Sequence, residues 1–402
     1  MPGSVHTARW VCELAGEGWD LHLFPSIGGR LHSGLKNMTV HDFYGLPPRD
    51  LDRSVRISGM WRWCSRKGEY RATVLQQELR RRMAHHDPAC RLARVVAKVQ
   101  PDLVHSLEMQ HAGYLVLDAK RVFGPGFPPW MMTPWGSDMN LFARLEEHRD
   151  RVMAVLQSCD ALQPKSERDV RQAQEYGFSG EMLPILPGNG GLDVDGMQRF
   201  RDDPPEKRRM ILLKGYQGWA GRALVGLKAL EMAAGSLKGY RVAVCSASRH
   251  VIPAAELMSH SSGIPIEIIP DVPHQDILRL HGKARISIGL SISDGVPNSM
   301  LEAMVMGGLP VESNTSCAEE WIENGRTGLI VPPEEPRAVA DALRRAAADD
   351  YLVRRAAATN LQLVRGRIEK TVMHPKVIGM YERMLAQGGR RPQPKKTGHR
   401  CR

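Results

Sequence analysis

The feature that most constrains this chain is an alternation of short apolar strands with helical patterns, run through twice. In the first run, residues 19–26, 101–106, 128–136 and 160–166 read as strands that end in loops. Helix patterns at 72–85, 89–99, 110–123, 144–157 and 167–176 lie between them. A Pro/Gly-rich stretch, LPILPGNGGLD (183–193), interrupts the pattern. The second run has strands at 210–216, 240–247, 265–270, 284–291, 309–314 and 328–333. Its helices lie at 221–234, 273–282, 298–306, 316–324 and 336–348, and a last helical segment spans 372–386. Strand–helix alternation builds parallel sheets covered by helices on both faces. Two runs with a break between them predict an α/β chain of two Rossmann-like, doubly wound domains. The expected division is 1–185, 186–370, a closing helix over 371–387 and a basic tail over 388–402. Such a domain ordinarily opens on its central strand, whereas here Met1–Gly3 leads directly into a helix from Val5 to Ala15. The first strand is therefore expected to be missing. A recorded start downstream of the true one and a domain that begins with a helix both account for this.

Composition excludes several classes. No apolar run approaches the roughly 18 residues that a membrane-spanning helix needs, and no secretory leader is recognisable, so a cytoplasmic protein is expected. The seven cysteines, at 12, 64, 90, 159, 245, 317 and 401, contain no CxxC pair. A zinc ribbon, a thioredoxin-type site and a disulfide framework all lack support. The net charge of +11 includes six basic residues and no acid in the last fifteen residues. That tail reads as a solubilising end or as a contact for an anionic membrane surface on its cytoplasmic face. Nucleic acid is not an expected partner. Trp61, Arg62, Trp63, Arg66 and Lys67 form an aromatic–basic cluster that suits an anionic glycan, a membrane surface or ordinary loop packing. The run Arg80–Arg82 reads as a solvated helix end.

Two segments carry chemistry. In SISDGVPNSMLEAMVMGGLPVESNT (291–315) a buried strand ends near Ser291, a Gly/Pro/Asn loop follows, and a helix opens near Asn298. Free N–H groups and the helix dipole make such a junction an anion site. Asn298 and Ser299 are capping types, with Glu302 expected in the first turn. Asp294 and Glu302, eight positions apart, would place two carboxylates where a polyhydroxylated ligand offers vicinal hydroxyls; an acidic cap and a solvated helix face is the plainer alternative. In MILLKGYQGWAGRALVGLKAL (210–230) Lys214 ends a strand and Arg222 opens the next helix. Two fixed cations at one loop suit a diphosphate, Arg as a fork and Lys as a compact charge.

These segments resemble the group 1 nucleotide-sugar glycosyltransferases, carbohydrate-enzyme family 4. The matching motifs are DGVPNSMLEAMVMGGLPV (294–311) and EEWIENGRTGLIVPP (319–333), with weaker echoes in PDLVH (101–105), PWGSD (134–138) and PGNGGLD (187–193). The likeness extends from about residue 5 to 385. It implies the GT-B architecture, two facing Rossmann-like domains with the active site in the cleft between them, and a final helix that returns to the first domain. It implies that Lys214 and Arg222 hold the donor diphosphate, that Glu302 partners the ribose, and that Asp294 touches the donor sugar with the backbone of Gly295, Val296, Pro297, Asn298 and Ser299. It implies a metal-independent reaction with no cofactor, a nucleoside-diphosphate sugar as co-substrate, a glycan, lipid or small-molecule hydroxyl as acceptor, and retention of anomeric configuration. On the acceptor side it places His6, Arg9, His105, Trp135 and Asp138, each of which a structural role would also explain. The sequence departs from the family at Asp294, where Glu is usual, at Trp135, where His is usual, and in the order of the Lys214–Arg222 loop. An inactive relative that serves as a binding protein and a sugar-nucleotide epimerase of the same fold are the competing readings. Removal of residues 388–402 is expected to leave donor turnover unchanged in a product-release assay, and a large loss would give the tail a catalytic role.

Overall fold

The computed structural model describes residues 2–43, 47–58, 87–187, 190–202 and 204–388. The tryptophan–arginine cluster at 61–67, the helix expected at 72–85, Arg80–Arg82 and the basic tail beyond residue 388 lie outside these residues. The chain divides into two compact units. One comprises residues 1–164, 170–190 and 374–402; the other comprises 165–169 and 191–373.

The first unit opens with α1 (Val5–Leu14), whose start is capped by the Ser4 side chain accepting from the His6 N–H at 3.2 Å. There follow β1 (His22–Leu23), β2 (Thr39–His41), β3 (Arg56–Ser58) and α2 (Pro88–Val99). Next come β4 (Val104–Leu107), α3 (Tyr114–Phe123), β5 (Trp130–Thr133), α4 (Glu146–Ser158), β6 (Ala161–Leu162), α5 (Glu167–Glu175) and β7 (Glu181–Met182). β2, β3 and β7 are too short for a sequence pattern to register. All pairings are parallel, but they form two sheets, β1–β2–β3 and β4–β5–β6–β7. Among the described residues no strand precedes α1, and β1 and β4 do not pair. Trp130 is fully buried, and its indole N–H donates to Ser106 Oγ at 2.8 Å.

The second unit holds α6 (Val194–Gln198), β8 (Met210–Lys214), α7 (Ala223–Met232), β9 (Arg241–Cys245), α8 (Val251–Ser262), β10 (Ile266–Ile269), α9 (His274–Lys283) and β11 (Ile286–Gly289). It continues with α10 (Asn298–Met306), β12 (Leu309–Ser313), β13 (Leu329–Val331), α11 (Pro336–Ala348) and α12 (Asp350–Ile368). The chain closes with α13 (Lys370–Gly388). The six strands form one parallel sheet in the order β10–β9–β8–β11–β12–β13. Side chains alternate between its faces. Ile211, Leu213, Val242, Val244, Ile286 and Ile288 enter the larger core, while Met210, Leu212, Ala243 and Cys245 enter the opposite one. Burial on both faces explains why these strands read as continuous apolar runs. The helices at 251–262 and 350–368 were not anticipated, and the helix expected at 316–324 is only a single 3-10 turn, Ala318–Glu320.

Arg285 fixes the underside of this sheet. Its side chain is wholly buried, donates to the carbonyls of Ala346 at 3.0 Å and Ala347 at 3.1 Å, and pairs with Asp350 at 2.7 Å. A cation there satisfies carbonyls that the end of α11 leaves without partners. Replacement by Met preserves much of the volume but strands those acceptors. Arg285→Met is expected to cost about 3 kcal/mol or more in urea unfolding, and a loss below 1 kcal/mol would show that water replaces the guanidinium.

Candidate functional site

Two of the predicted residues of the second unit, Lys214 and Asp294, meet at the carboxyl ends of β8 and β11. Lys214 is the last residue of β8. Gly215 follows because a Cβ at that position would come within 2.6 Å of Ala247 Cα. The loop then turns so that the Arg222 N–H donates to the Leu290 carbonyl at 2.9 Å, and Gly221 bridges to Ser291. The Gln217 amide oxygen accepts from the Leu224 N–H at 3.0 Å, which closes the start of α7. Loop 215–222 is thereby fastened to the end of β11, where loop 290–297 begins.

Lys214 and Asp294 meet. Lys214 Nζ lies 3.2 Å from Asp294 Oδ2, which also accepts from Ser291 Oγ at 3.3 Å, while Oδ1 accepts from the Gly295 N–H at 2.9 Å. Behind the loop, the Arg168 guanidinium donates to the Asp294 carbonyl and, at 3.0 Å, to that of Thr315. Burial raises the Asp294 carboxyl, but Lys214 and these hydrogen bonds outweigh it and hold Asp294 below its ordinary 3.8. Burial likewise works against the Lys214 charge, yet Asp294 and then Glu312 hold the ammonium above its ordinary value. The Tyr216 ring covers Lys214, with its centroid 4.9 Å from Nζ.

The other predicted residues are placed differently. The Arg222 guanidinium turns outward to Glu334 at 2.8 Å and to the Gly218 carbonyl. Glu302 is the fifth residue of α10, beyond the first turn in which it was expected, and is buried. It accepts from His274 at 2.7 Å and stands 3.7 Å from His281. Burial is the chief cause that lowers His281. Asn298 is the first helical residue and not the cap. The N-cap is Pro297, which has no side-chain acceptor. The cap position of α10 therefore supplies no side-chain hydrogen bond, an arrangement that suits an incoming anion. Gly295 and Val296 lie in the preceding loop, Ser299 in the first turn, and the Gly295 carbonyl accepts from the Cys317 N–H at 2.9 Å.

In the first unit, His6 packs edge-on against Trp135 at 5.6 Å. Asp138 is buried and acts as a loop clasp, its Oδ2 accepting from the N–H groups of Met109 and Trp135, each at 2.8 Å. Arg9 lies near enough to His32 to lower its pKa, after burial. His105 lies within β4 and does not end it. It is hydrogen-bonded to Tyr381 at 2.6 Å and Thr133 at 2.8 Å. Glu108 was not singled out from the sequence. It is buried at φ 78°, and its carboxylate caps the turn that follows by accepting from the His111 N–H at 2.9 Å.

Glu312 was also not anticipated, although a Glu inside the apolar run LPVES is a visible irregularity. It is 1% exposed, and neither carboxylate oxygen has a hydrogen-bond partner among the described residues. Burial raises its carboxyl well above the ordinary 4.5, only partly relieved by Lys214, and Asp294 adds to the rise. A cavity of about 690 Å³ is lined by Met210, Arg241 and Lys283 at the amino ends of the strands and holds none of the site residues above. The carboxyl edge is where parallel sheets bind ligands. Among the described residues no group of three or more His, Cys, Asp or Glu is placed to hold a metal ion, and no helix is long and apolar enough to cross a membrane.

Residues 230–349 match the model of the family Glycosyl transferases group 1. The matched segment includes Asp294, the 295–299 loop and Glu302, and leaves out Lys214 and Arg222. Comparison with curated protein sequences gave no match. Among solved structures, sucrose-phosphate synthase from Thermosynechococcus elongatus superposes with a TM-score of 0.67 at 15% identity, over 95% of this chain and 92% of that one. HepE from Anabaena, solved with UDP-glucose, gives 0.61 at 12% identity, over 90% and 99%. A trehalose 6-phosphate synthase from Burkholderia multivorans gives 0.59 at 13% identity, over 75% of each chain. The fold is that of these GT-B glycosyltransferases.

The buried charges make stability depend on pH with a definite sign. Above pH 4.5 the unfolded chain gives up the Glu312 proton while the folded chain keeps it, so Glu312 costs stability at neutral pH. Glu312→Gln is expected to raise the thermal midpoint by about 2 °C or more at pH 7.5 and to leave it unchanged near pH 4. An equal shift at both values would mean that the carboxyl ionises in place. Asp294 has the opposite sign. Its contribution is present above 3.8 and is lost as pH falls through its lower folded value, so Asp294→Asn should lower the midpoint at pH 7 and converge with wild type in strong acid.

Proposed function

We propose that this chain is a glycosyltransferase that moves a sugar from a nucleoside-diphosphate sugar to a hydroxyl acceptor, with retention of anomeric configuration. The observation that carries the reading is the Lys214–Asp294 pair, held at the carboxyl edge of the sheet beside the start of α10. It combines a fixed cation, a helix start with Pro297 at its cap position and a carboxylate able to accept from sugar hydroxyls. A donor diphosphate would share Lys214 with Asp294 and recruit Arg222 from Glu334. Glu302, held by His274, would accept from the ribose hydroxyls. In the reaction the bond between anomeric carbon and phosphate oxygen breaks, the acceptor oxygen bonds to that carbon on the same face, and its proton passes to the departing phosphate. Lys214, Arg222 and the α10 dipole would stabilise the charge that builds on the phosphate, which makes a metal ion unnecessary. His6, Arg9, His105, Trp135 and Asp138 are proposed to shape the acceptor side. Of these, Asp138 and His105 act through the loops and rings they hold. HepE was solved with UDP-glucose, so UDP-glucose is the first donor to try. A cytoplasmic location with a hydroxylated glycan, lipid or small-molecule acceptor completes the proposal.

Release of nucleoside diphosphate from a panel of donors tests it directly. Lys214→Ala and Glu302→Ala are each expected to cut turnover about 100-fold or more, assayed where circular dichroism shows each variant folded, because loss of one partner of a buried pair lowers the thermal midpoint. A chelator should leave the rate intact. Near-normal turnover in both variants would remove this site from the chemistry, and no release with any donor would favour a binding protein.

A further inference from the structure

The amino edge of the second unit's sheet, away from Lys214, carries a cavity of about 690 Å³ that none of the chemistry above uses. Met210 opens β8, Arg241 opens β9 as its register partner, and both line this space. Lys238 lies in the turn before β9, and Lys283 ends α9. Ala234, Leu237, Ile264 and Pro265 give the cavity an apolar wall. Tyr240 lines it too. It is 5% exposed, and its hydroxyl has no hydrogen-bond partner among the described residues.

The charge of this lining is one-sided: five residues are cationic and Asp202 alone is acidic. The two arginines ahead of β8 are spent on the fold. Arg208 donates to the carbonyls of Ala284 and Met306, each at 2.9 Å. Arg209 donates to those of Glu206 at 3.2 Å and Arg208 at 3.1 Å, with its guanidinium 5.3 Å from the centre of the Tyr240 ring. Lys238, Arg241 and Lys283 are exposed, and among the described residues none of the three has an ion pair. Lys283, in the last turn of α9, complements the helix dipole. Lys238 and Arg241 belong to no helix, so the dipole gives no reason for them. Like charges gathered at one cavity repel one another until an anion joins them.

We propose that this cavity is a second ligand site, for a small organic phosphomonoester whose phosphate meets Lys238, Arg241 and Lys283 and whose body lies against the apolar wall. The volume suits one small molecule. A phosphomonoester carries a charge of roughly −1.5 to −2 at neutral pH, which answers three cations set against one acid, whereas a single carboxylate leaves most of that charge unmet. Arg241 supplies a planar fork for two phosphate oxygens, and the lysines add compact charges. The site is separate from the one at Lys214. β8 joins the two, with Met210 in the wall of this cavity and Lys214 about 13 Å further along the strand.

The experiment uses the full chain and three probes: glucose 6-phosphate, ribose 5-phosphate and adenosine 5′-monophosphate. Binding is read by titration calorimetry and located by amide hydrogen exchange with mass spectrometry. At least one probe is expected to bind at millimolar concentration or below and to slow exchange at 237–241 and 262–265, while its unphosphorylated parent does neither. Lys238→Gln with Arg241→Gln is expected to weaken that binding tenfold or more, with an unchanged thermal midpoint in the absence of ligand, because both side chains are exposed. Lys214→Ala is expected to keep both the binding and the protection. Binding by none of the probes, protection that survives in the double variant, or binding lost in Lys214→Ala and kept in the double variant would overturn the proposal. Equal protection by sulfate at the same concentration would show an adventitious ion only, and binding confined to vesicles bearing phosphatidate would assign the cations to a lipid surface; either result overturns it. Donor turnover is not read, so the outcome is independent of the transferase reading.

Discussion

The second unit depends on how a parallel sheet handles charge at its carboxyl edge. Lys214 ends the central strand β8, and it is tolerable there because Asp294 comes to 3.2 Å from the end of the neighbouring strand's loop. The pair is held from three directions. Ser291 and the Gly295 N–H hold the carboxylate, while Arg168 holds the loop through carbonyls at 294 and 315. Removing one partner leaves an uncompensated charge in a partly dry site, which costs more than the pair itself contributes. Glu312 stands behind this pair, and burial, with Asp294 beside it, pushes its carboxyl well above the ordinary range.

The same construction explains why the loops are placed where they are. Loop 215–222 is fastened to the end of β11 through backbone pairing at 221–222 and 290–291, so two loops far apart in sequence form one rim. The start of α10 lies on that rim, with Pro297 where a capping side chain would otherwise stand. Glu302 is set one turn deeper, against His274 and His281 of α9. The rim thus brings a cation, a helix start and a carboxylate together.

Recognition of the strands was easy in the second unit and poor in the first, for one reason. β8, β9 and β11 are buried on both faces, so MILLK, RVAVC and ISIG read as apolar runs. β2, β3 and β7 span two or three residues, too few to show any period. Asp294 and Lys214 were legible as site candidates because their motifs are tied to strand ends. His274, Glu334 and Arg168 were not legible, since each meets the site from an element distant in sequence. Helix 350–368 escaped because its Arg-rich, Ala-rich pattern lacks a sharp apolar stripe. The family match over 230–349 covers the stretch in which the motifs are densest.

The sequence by itself determined the α/β alternation, the two-part organisation and the loop-to-helix junction at 291–302, because these follow from local burial patterns and turn residues. Tertiary structure alone decided that Lys214 pairs with Asp294, that Arg222 turns to Glu334, that Glu302 is shared with histidines, and that β1 and β4 belong to separate sheets. Those outcomes are set by which strand lies beside which, and strand order carries no signal in any single stretch of residues.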